Sequence, residues 1–330
     1  MSTVLVTGGA GYIGSHTCKA LDAKGISPVV FDNLITGHKE LVQWGELIRG
    51  DVRDTDFLTQ VIKKIKPMAI IHFAASAYVG ESVIKPQEYY DNNASGVISL
   101  LKAMSSNDCK HLVFSSTCAV YGVPDTLPID VNSATNPINP YGRTKLMAEQ
   151  IIQDFSASSD LRAVILRYFN AAGADTEGQI GERHIPETHL IPNVINAALD
   201  QEPKLQVFGD DYPTEDGTCV RDYVHVNDLA HAHVQSLDYL NNTQEKFTRF
   251  NLGAEQGVSI KQVIAEVEAQ TGKLVPHDIC PRRPGDPATL FADSSLTHQE
   301  LGWQAKESDL TNIVASALKW ANLERCCEEK

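Results

Sequence analysis

Residues 7–14 read Thr7-Gly8-Gly9-Ala10-Gly11-Tyr12-Ile13-Gly14, and this stretch decides the fold. The apolar run Val4-Leu5-Val6 precedes it and has the length of a short buried strand. Residues 15–24 follow with helical spacing and stop at Gly25. Strand, glycine turn and helix in that order make a cradle for phosphate. The glycines carry no Cβ, so the backbone can close on a pyrophosphate. The helix N-terminus adds free N–H groups and the positive end of its dipole. The spacing is G-x-x-G-x-x-G over Gly8, Gly11 and Gly14, not G-x-G-x-x-G. An ordinary strand-to-helix turn can carry as many glycines, so context has to argue for a dinucleotide.

That context continues at Pro28-Val29-Val30-Phe31, which reads as a second strand. Asp32 ends it, 18 residues after Gly14. An acid at this place accepts hydrogen bonds from the adenosine ribose hydroxyls and repels a 2′-phosphate. No arginine follows directly, since the chain runs on as Asn33-Leu34. The expected cofactor is therefore NAD and not NADP. An aspartate solvating a strand end would look the same.

At 330 residues the chain is long for one domain, and two lobes are expected. A net charge of -14 repels nucleic acid and anionic membrane, so neither is an expected partner. An anionic substrate stays open, because local arginines can override the net field. The first residues show no cationic segment followed by an apolar one, so no secretory signal is expected. No apolar run reaches the roughly 18 residues of a membrane span. Seven cysteines (Cys18, Cys109, Cys118, Cys219, Cys280, Cys326 and Cys327) are scattered without a C-x-x-C, which suits a reducing cytoplasm. His231 and His233 lack a third ligand at sensible spacing. They read as surface histidines, and no metal is expected.

Short apolar runs at 4–6, 29–31, 47–49, 69–73, 111–115 and 163–167 alternate with amphipathic stretches such as 57–66 and 89–104. This rhythm predicts an α/β fold, a Rossmann-type doubly wound parallel sheet. It breaks near residue 170, where Gly and Pro become frequent. Helical spacing reappears at 190–200, 226–240, 260–271 and 310–323. We therefore expect a dinucleotide-binding domain over 1–171 and a smaller C-terminal α/β substrate-binding lobe over 172–330, part of it free to return to the first sheet. Residues 324–330 read as a frayed polar tail.

Tyr141-Gly142-Arg143-Thr144-Lys145 opens a further helix. Residues four apart share a helical face. A free phenol, with a pKa of about 10, is a poor base at neutral pH. A neighbouring ammonium and a cationic nicotinamide ring would favour the phenolate. A partly ionised tyrosine can then take a proton from a substrate hydroxyl as hydride leaves the carbon. Y-x-x-x-K also occurs by chance in helices. Here it follows Leu112-Val113-Phe114-Ser115-Ser116-Thr117, a strand ending in hydroxyls, as the ligand crevice of a parallel sheet requires. Thr117 can share a hydrogen bond with the substrate hydroxyl and orient it against Tyr141, although a polar strand end satisfying loop N–H groups is the plainer alternative.

With these residues in place, the chain resembles the extended short-chain dehydrogenase/reductase superfamily, and within it the UDP-hexose 4-epimerases. The resemblance runs over nearly the whole length. It is carried by residues 7–14, Gly50-Asp51-Val52-Arg53, His72-Phe73-Ala74-Ala75, Val79-Gly80-Glu81-Ser82, Tyr89-Tyr90-Asp91-Asn92-Asn93, 115–122 and 140–145. Further on it is carried by Leu166-Arg167-Tyr168-Phe169-Asn170, 209–217, Val220-Arg221-Asp222-Tyr223 and Arg282-Arg283-Pro284-Gly285-Asp286.

The resemblance implies that Gly8, Gly11, Tyr12, Ile13 and Gly14 hold the cofactor pyrophosphate, with Asp32 and Asn33 on the ribose and Asp51 and Val52 bordering the adenine. Phe73, Ala74 and Ala75 would line the cofactor path, with Asn92, Ser115 and Tyr168 nearby. Lys145 would bond the nicotinamide ribose and tune Tyr141. Asn170, His189, Leu190, Arg221, Leu290, Arg283 and Asp286 would join Thr117 and Tyr141 in facing a UDP-sugar. The two arginines also suit a diphosphate on chemical grounds. The implied assembly is a homodimer.

Three positions depart from patterns of such enzymes. Ala77 stands where some members carry a lysine near the cofactor, His189 where asparagine is more familiar, and Leu290 where a tyrosine often limits the sugar pocket. The N-acetyl specificity is therefore open. The expected reaction interconverts UDP-glucose and UDP-galactose by transient C4 oxidation with bound NAD. A 4-epimerase of UDP-N-acetylhexosamine or UDP-pentose is the nearest alternative. A 4,6-dehydratase would need an acid and a base beside Thr117, and Cys118-Ala119 supplies neither. A non-catalytic NAD sensor would need no Tyr141/Lys145 pair.

Overall fold

The structure, a computed structural model, describes residues 2–283 and 285–328. Strands β1 (Thr3–Thr7), β2 (Ser27–Asp32), β3 (Glu46–Arg49), β4 (Ala69–His72), β5 (His111–Thr117) and β6 (Arg162–Tyr168) follow the predicted apolar runs. The helices between them are α1 (Tyr12–Ala23), α2 (Thr55–Ile65), α3 (Val79–Ile84), α4 (Pro86–Tyr89), α5 (Gly96–Ser105) and α6 (Pro140–Ser158), with a π-helical turn over Tyr90–Ser95. All the strands pair in parallel. Alternate residues of each go to opposite faces. Val4 and Val6 pack with Leu21, Leu229 and Leu237 on one side, whereas Leu5 packs with Phe31, Leu58, Ile62 and Leu100 on the other. Helices thus cover both faces of the sheet, as a parallel sheet requires.

The remaining elements are β7 (Asn170–Ala172), α7 (Leu190–Asp200), β8 (Leu205–Phe208), β9 (Val220–His225), α8 (Val226–Asn242), β10 (Phe247–Leu252), β11 (Gly257–Ser259), α9 (Ile260–Thr271), β12 (His277–Cys280), β13 (Thr289–Leu290), α10 (Ser295–Leu301) and α11 (Leu310–Glu328). The main sheet has seven strands in the order β10-β6-β5-β4-β1-β2-β3. The chain therefore leaves this sheet after β6 and comes back to it. Helix α8 packs on α1, and β10 closes the edge beside β6. The second lobe consists of the β7/β9/β11/β13 sheet, the β8–β12 pair, and α7, α9 and α11 around Val194, Ile264 and Ile313. A cut at 171/172 thus does not separate the two layers cleanly.

Two expectations need correction. His233 is buried, its ring 4.5 Å from that of Phe73, while His231 is exposed. Residues two apart point to different sides of a helix, and α8 turns one of those sides to the sheet. The polar end of the chain is not frayed as far as Glu328. Helix α11 runs to that residue, Arg325 bonds Asn196 at 2.9 Å and Asp200 at 2.7 Å, and Glu324 pairs with Arg183.

Candidate active site

Strand order reverses beside β1, which has β2 on one side and β4 on the other. Ligands of open α/β sheets bind outside the carboxyl ends of strands at such a switch point. The glycine turn lies there, and its geometry explains the residue type. A Cβ on Gly8, at φ +74°, would sit 2.5 Å from the backbone nitrogen of Ala74 after β4. A Cβ on Gly14 would sit 2.3 Å from the carbonyl oxygen of Gly8. Helix α1 starts from Gly11 without a side-chain cap and without an acid in its first turn. Its leading N–H groups are therefore suited to an anion.

The neighbouring strand ends complete this half. Asp32 is buried, and its carboxylate accepts from Ala10 N at 3.1 Å and Leu34 N at 2.8 Å. Asn33 donates to Asp51 at 3.2 Å. The Arg53 guanidinium holds Asp51 well below the usual carboxylate range. Val52 is buried beneath them. A cradle closed to side chains, an uncapped helix and a buried acid together fit NAD. The Tyr12 phenol donates to Gly173 O at 2.5 Å and so ties the turn to the second lobe, while its backbone N–H stands at the uncapped start of α1. Ile13 packs into the apolar cluster under α1. Phe73, Ala74 and Ala75 leave β4 half-buried, and Asn92 donates to the Ser76 hydroxyl at 3.1 Å.

The catalytic candidates converge at the end of β5. Pro140 pre-sets the first turn of α6, and Asn139 caps it by accepting from Gly142 N. Tyr141 and Lys145 then face the sheet, and both are buried. Lys145 Nζ donates to Ser115 O at 2.8 Å and lies 5.0 Å from the Phe114 ring centroid. Burial pushes its ammonium down to about 8 against the pull of Glu149. Burial also pushes the Tyr141 phenol up, and Tyr168 adds to this, whereas a hydrogen bond with Thr117 works the other way. The Ser115 hydroxyl is engaged by Tyr168 OH at 2.5 Å. Beside Thr117, burial pushes the Cys118 thiol up to about 12, leaving it inert as an acid or base near neutral pH.

The sequence reading missed what supports this helix. Arg167 has no exposed surface. It forks onto Glu149 with its shortest contact at 2.5 Å, and it donates to Tyr121 OH and Val131 O, both at 3.1 Å. Ser116 donates to the same Glu149 at 2.5 Å. Glu149 lies four residues after Lys145, so helical spacing could have found it, but nothing local names Arg167 as its partner.

On the second lobe, Arg221 bonds Asp286 at 2.5 Å and the Val220 carbonyl at 2.8 Å. Asn170 donates to Asp222 O at 2.8 Å. Arg283 lies 4.0 Å from the Phe208 ring centroid, and its carbonyl accepts from Asp286 N at 3.2 Å. Leu290 pairs in register with Arg221 and packs with Val120, Tyr121 and Phe169 beside Cys118. It is therefore brought close to Thr117. His189 precedes α7 and turns to Glu182 and Glu187, while Leu190 packs into the core of the second lobe.

A glycine turn at the switch point with a buried Tyr-x-x-x-Lys beside it defines a dinucleotide-dependent enzyme of the short-chain dehydrogenase/reductase kind. The chain belongs to the NAD dependent epimerase/dehydratase family, which matches residues 4–253. It is 51% identical over 319 residues to the UDP-glucose 4-epimerase of Rhizobium meliloti (strain 1021), covering 97% of each chain. The UDP-glucose 4-epimerase of Brucella ovis, crystallised with NAD, superposes with a TM-score of 0.94 at 50% identity, covering 96% of this chain and 98% of that one. The enzyme of the same name from Stenotrophomonas maltophila, with bound NAD and formylated UDP-arabinopyranose, gives 0.95 at 42% identity, covering 99% and 100%.

Proposed function

We propose that this protein is an NAD-dependent isomerase that interconverts UDP-glucose and UDP-galactose at C4. The observation that carries this reading is the burial of Thr117, Tyr141 and Lys145 together at the end of β5. Bound NAD supplies the acceptor for the C4 hydride and its return. Tyr141 takes up the C4 hydroxyl proton as the phenolate and gives it back as the phenol, with Thr117 orienting that hydroxyl. Because burial holds the phenol neutral, its ionisation depends on positive charge brought next to it, and we assign that charge to Lys145, four residues on along α6. Arg221 and Arg283 hold the diphosphate while the oxidised sugar turns over between its two faces.

The cycle is redox-neutral, so NAD should stay with the protein through purification. Denaturation should release NAD, and epimerisation should need no added cofactor. Release of NADP alone, or a strict need for added NADPH, would overturn the Asp32 argument.

No helix among the described residues is long and apolar enough to cross a membrane. We place the enzyme in the cytoplasm, in keeping with its scattered thiols. We also read it as a homodimer. A broad groove of 1190 Å³ is lined by Ile84, Tyr90, Met147 and Ile151, and Val79, Val83, Ile84 and Met147 on this side are exposed. Exposed apolar surface of this kind suits a second copy. Light scattering at the mass of one chain would reject it.

Leu290 bears on sugar size. UDP-galactose is the expected main substrate, with slow turnover of UDP-N-acetylgalactosamine. Leu290→Tyr should suppress the N-acetyl reaction by roughly 10–200-fold and spare UDP-galactose, since one pocket contact is worth about 1–3 kcal/mol. Equal effects on kcat/KM for both substrates would show that Leu290 does not gate the pocket.

A further inference from the structure

The segment Glu182-Arg183-His184-Ile185-Pro186-Glu187-Thr188-His189 precedes α7 and carries a spacing of E-x-H-x-x-E-x-H. The fold turns all four of its ligand-type side chains to one point. A ligand atom from each lies within 4.8 Å of the other three. Glu182 Oε1 is 3.0 Å from His184 Nδ1 and 2.7 Å from His189 Nδ1. The Glu187 carboxylate lies 3.1 Å from His189 Nδ1 and 3.8 Å from His184 Nδ1. Four donors around a tetrahedral ion with bonds of about 2.1 Å stand about 3.4 Å apart, in the middle of these spacings.

The cluster runs from a buried Glu182 through partly buried His184 and Glu187 to an exposed His189. The Glu182 side chain is 6% exposed. A carboxylate so far from water needs positive charge beside it, supplied by a protonated His189 where no metal ion displaces that proton. The only partners it meets among the described residues are the two imidazoles, both aimed at one of its oxygens. The surroundings also hold the donors in place. Trp320 Nε1 donates to Glu182 O at 2.9 Å. Glu187 accepts from Thr188 N at 2.7 Å and His189 N at 2.8 Å. The His184 ring stands edge-on between Tyr12 and Tyr78, at 6.3 and 5.7 Å between centroids. Such outer contacts orient metal ligands and strengthen their sites.

We propose that Glu182, His184, Glu187 and His189 form a binding site for a divalent first-row transition ion of the zinc class. Two imidazole nitrogens with two carboxylate oxygens suit zinc and its neighbours better than calcium or magnesium, which prefer oxygen alone. The expectation of no metal rested on His231 and His233, which lie on another element. The inference does not depend on the epimerase reading, because its test reads metal and not turnover.

The test uses the full-length protein, stripped by dialysis against a chelator and shown to retain its NAD. Zn²⁺ is added, excess is removed by desalting, and the bound metal is counted by atomic emission. Co²⁺ serves as a second probe, read by the visible absorption of a four-coordinate site. About one equivalent should stay with the wild-type chain, and Zn²⁺ should raise its unfolding midpoint. The variant His184→Gln/Glu187→Gln should retain only background metal and lose the midpoint shift, with affinity lowered by about tenfold or more. Where the double substitution harms the fold, judged by lost NAD, His184→Gln alone should weaken retention in the same direction. Retention below about a tenth of an equivalent by the wild type, or unchanged retention by a folded variant, would overturn the site.

Discussion

Tyr141→Phe should lower the turnover of UDP-galactose by about 10²–10⁴-fold, the range in which general acid–base groups contribute. The substitution removes one oxygen from a side chain that is 8% exposed and leaves the ring to pack as before. Folding, retained NAD and affinity for the UDP-sugar should therefore stay near wild type, with the loss confined to kcat. Turnover near that of the wild type at neutral pH would remove Tyr141 from the role of base. The companion change Lys145→Met carries a sign. Lys145 is cationic below its depressed value of about 8. Its charge favours the phenolate, so deleting it should move the rising limb of the pH–activity profile to higher pH. An unmoved limb would mean that Lys145 positions the cofactor without tuning the phenol.

The second large effect is on stability. Glu149→Ala should destabilise the protein by about 3–5 kcal/mol, because Arg167 would keep a buried charge and lose the carboxylate that meets it. Chemical denaturation should show the loss as a lower midpoint. The Tyr121 and Val131 contacts soften it but carry no negative charge. Replacing both partners, as in Glu149→Leu/Arg167→Met, should recover part of the stability, since no unpaired charge is then left inside. A loss under about 1 kcal/mol for Glu149→Ala would place the pair among ordinary surface bridges. Glu149 also holds the Lys145 ammonium up, so any Glu149→Ala enzyme that folds should lose activity from a lower pH upward.

Local pattern and long-range contact divide the molecule between them. The β1 strand, the glycine turn and α1 lie within about two dozen residues, and backbone sterics alone demand Gly8 and Gly14 there. Asp32 was legible because it ends the next apolar run. Tyr141 and Lys145 were legible because helical periodicity puts them on one face. The parallel sheet was legible from the alternation of short apolar runs with amphipathic helices.

What joins distant stretches was not legible in this way. The return of β10 to the edge beside β6 depends on a strand edge of the first sheet being left open to it. The burial of His233 depends on the face that α8 turns to α1 and the sheet. Arg167 meets Glu149 across two elements, Tyr12 reaches Gly173 in another lobe, and Leu290 comes beside Cys118 through strand pairing with β9. Glu182, His184, Glu187 and His189 are close in sequence, yet their convergence depends on α11, whose Trp320 holds the Glu182 carbonyl. The sequence by itself determined the elements and the chemistry that local period and glycine sterics impose. Tertiary packing decided which buried charges find each other, because only a closed core removes water and makes an unmatched charge costly.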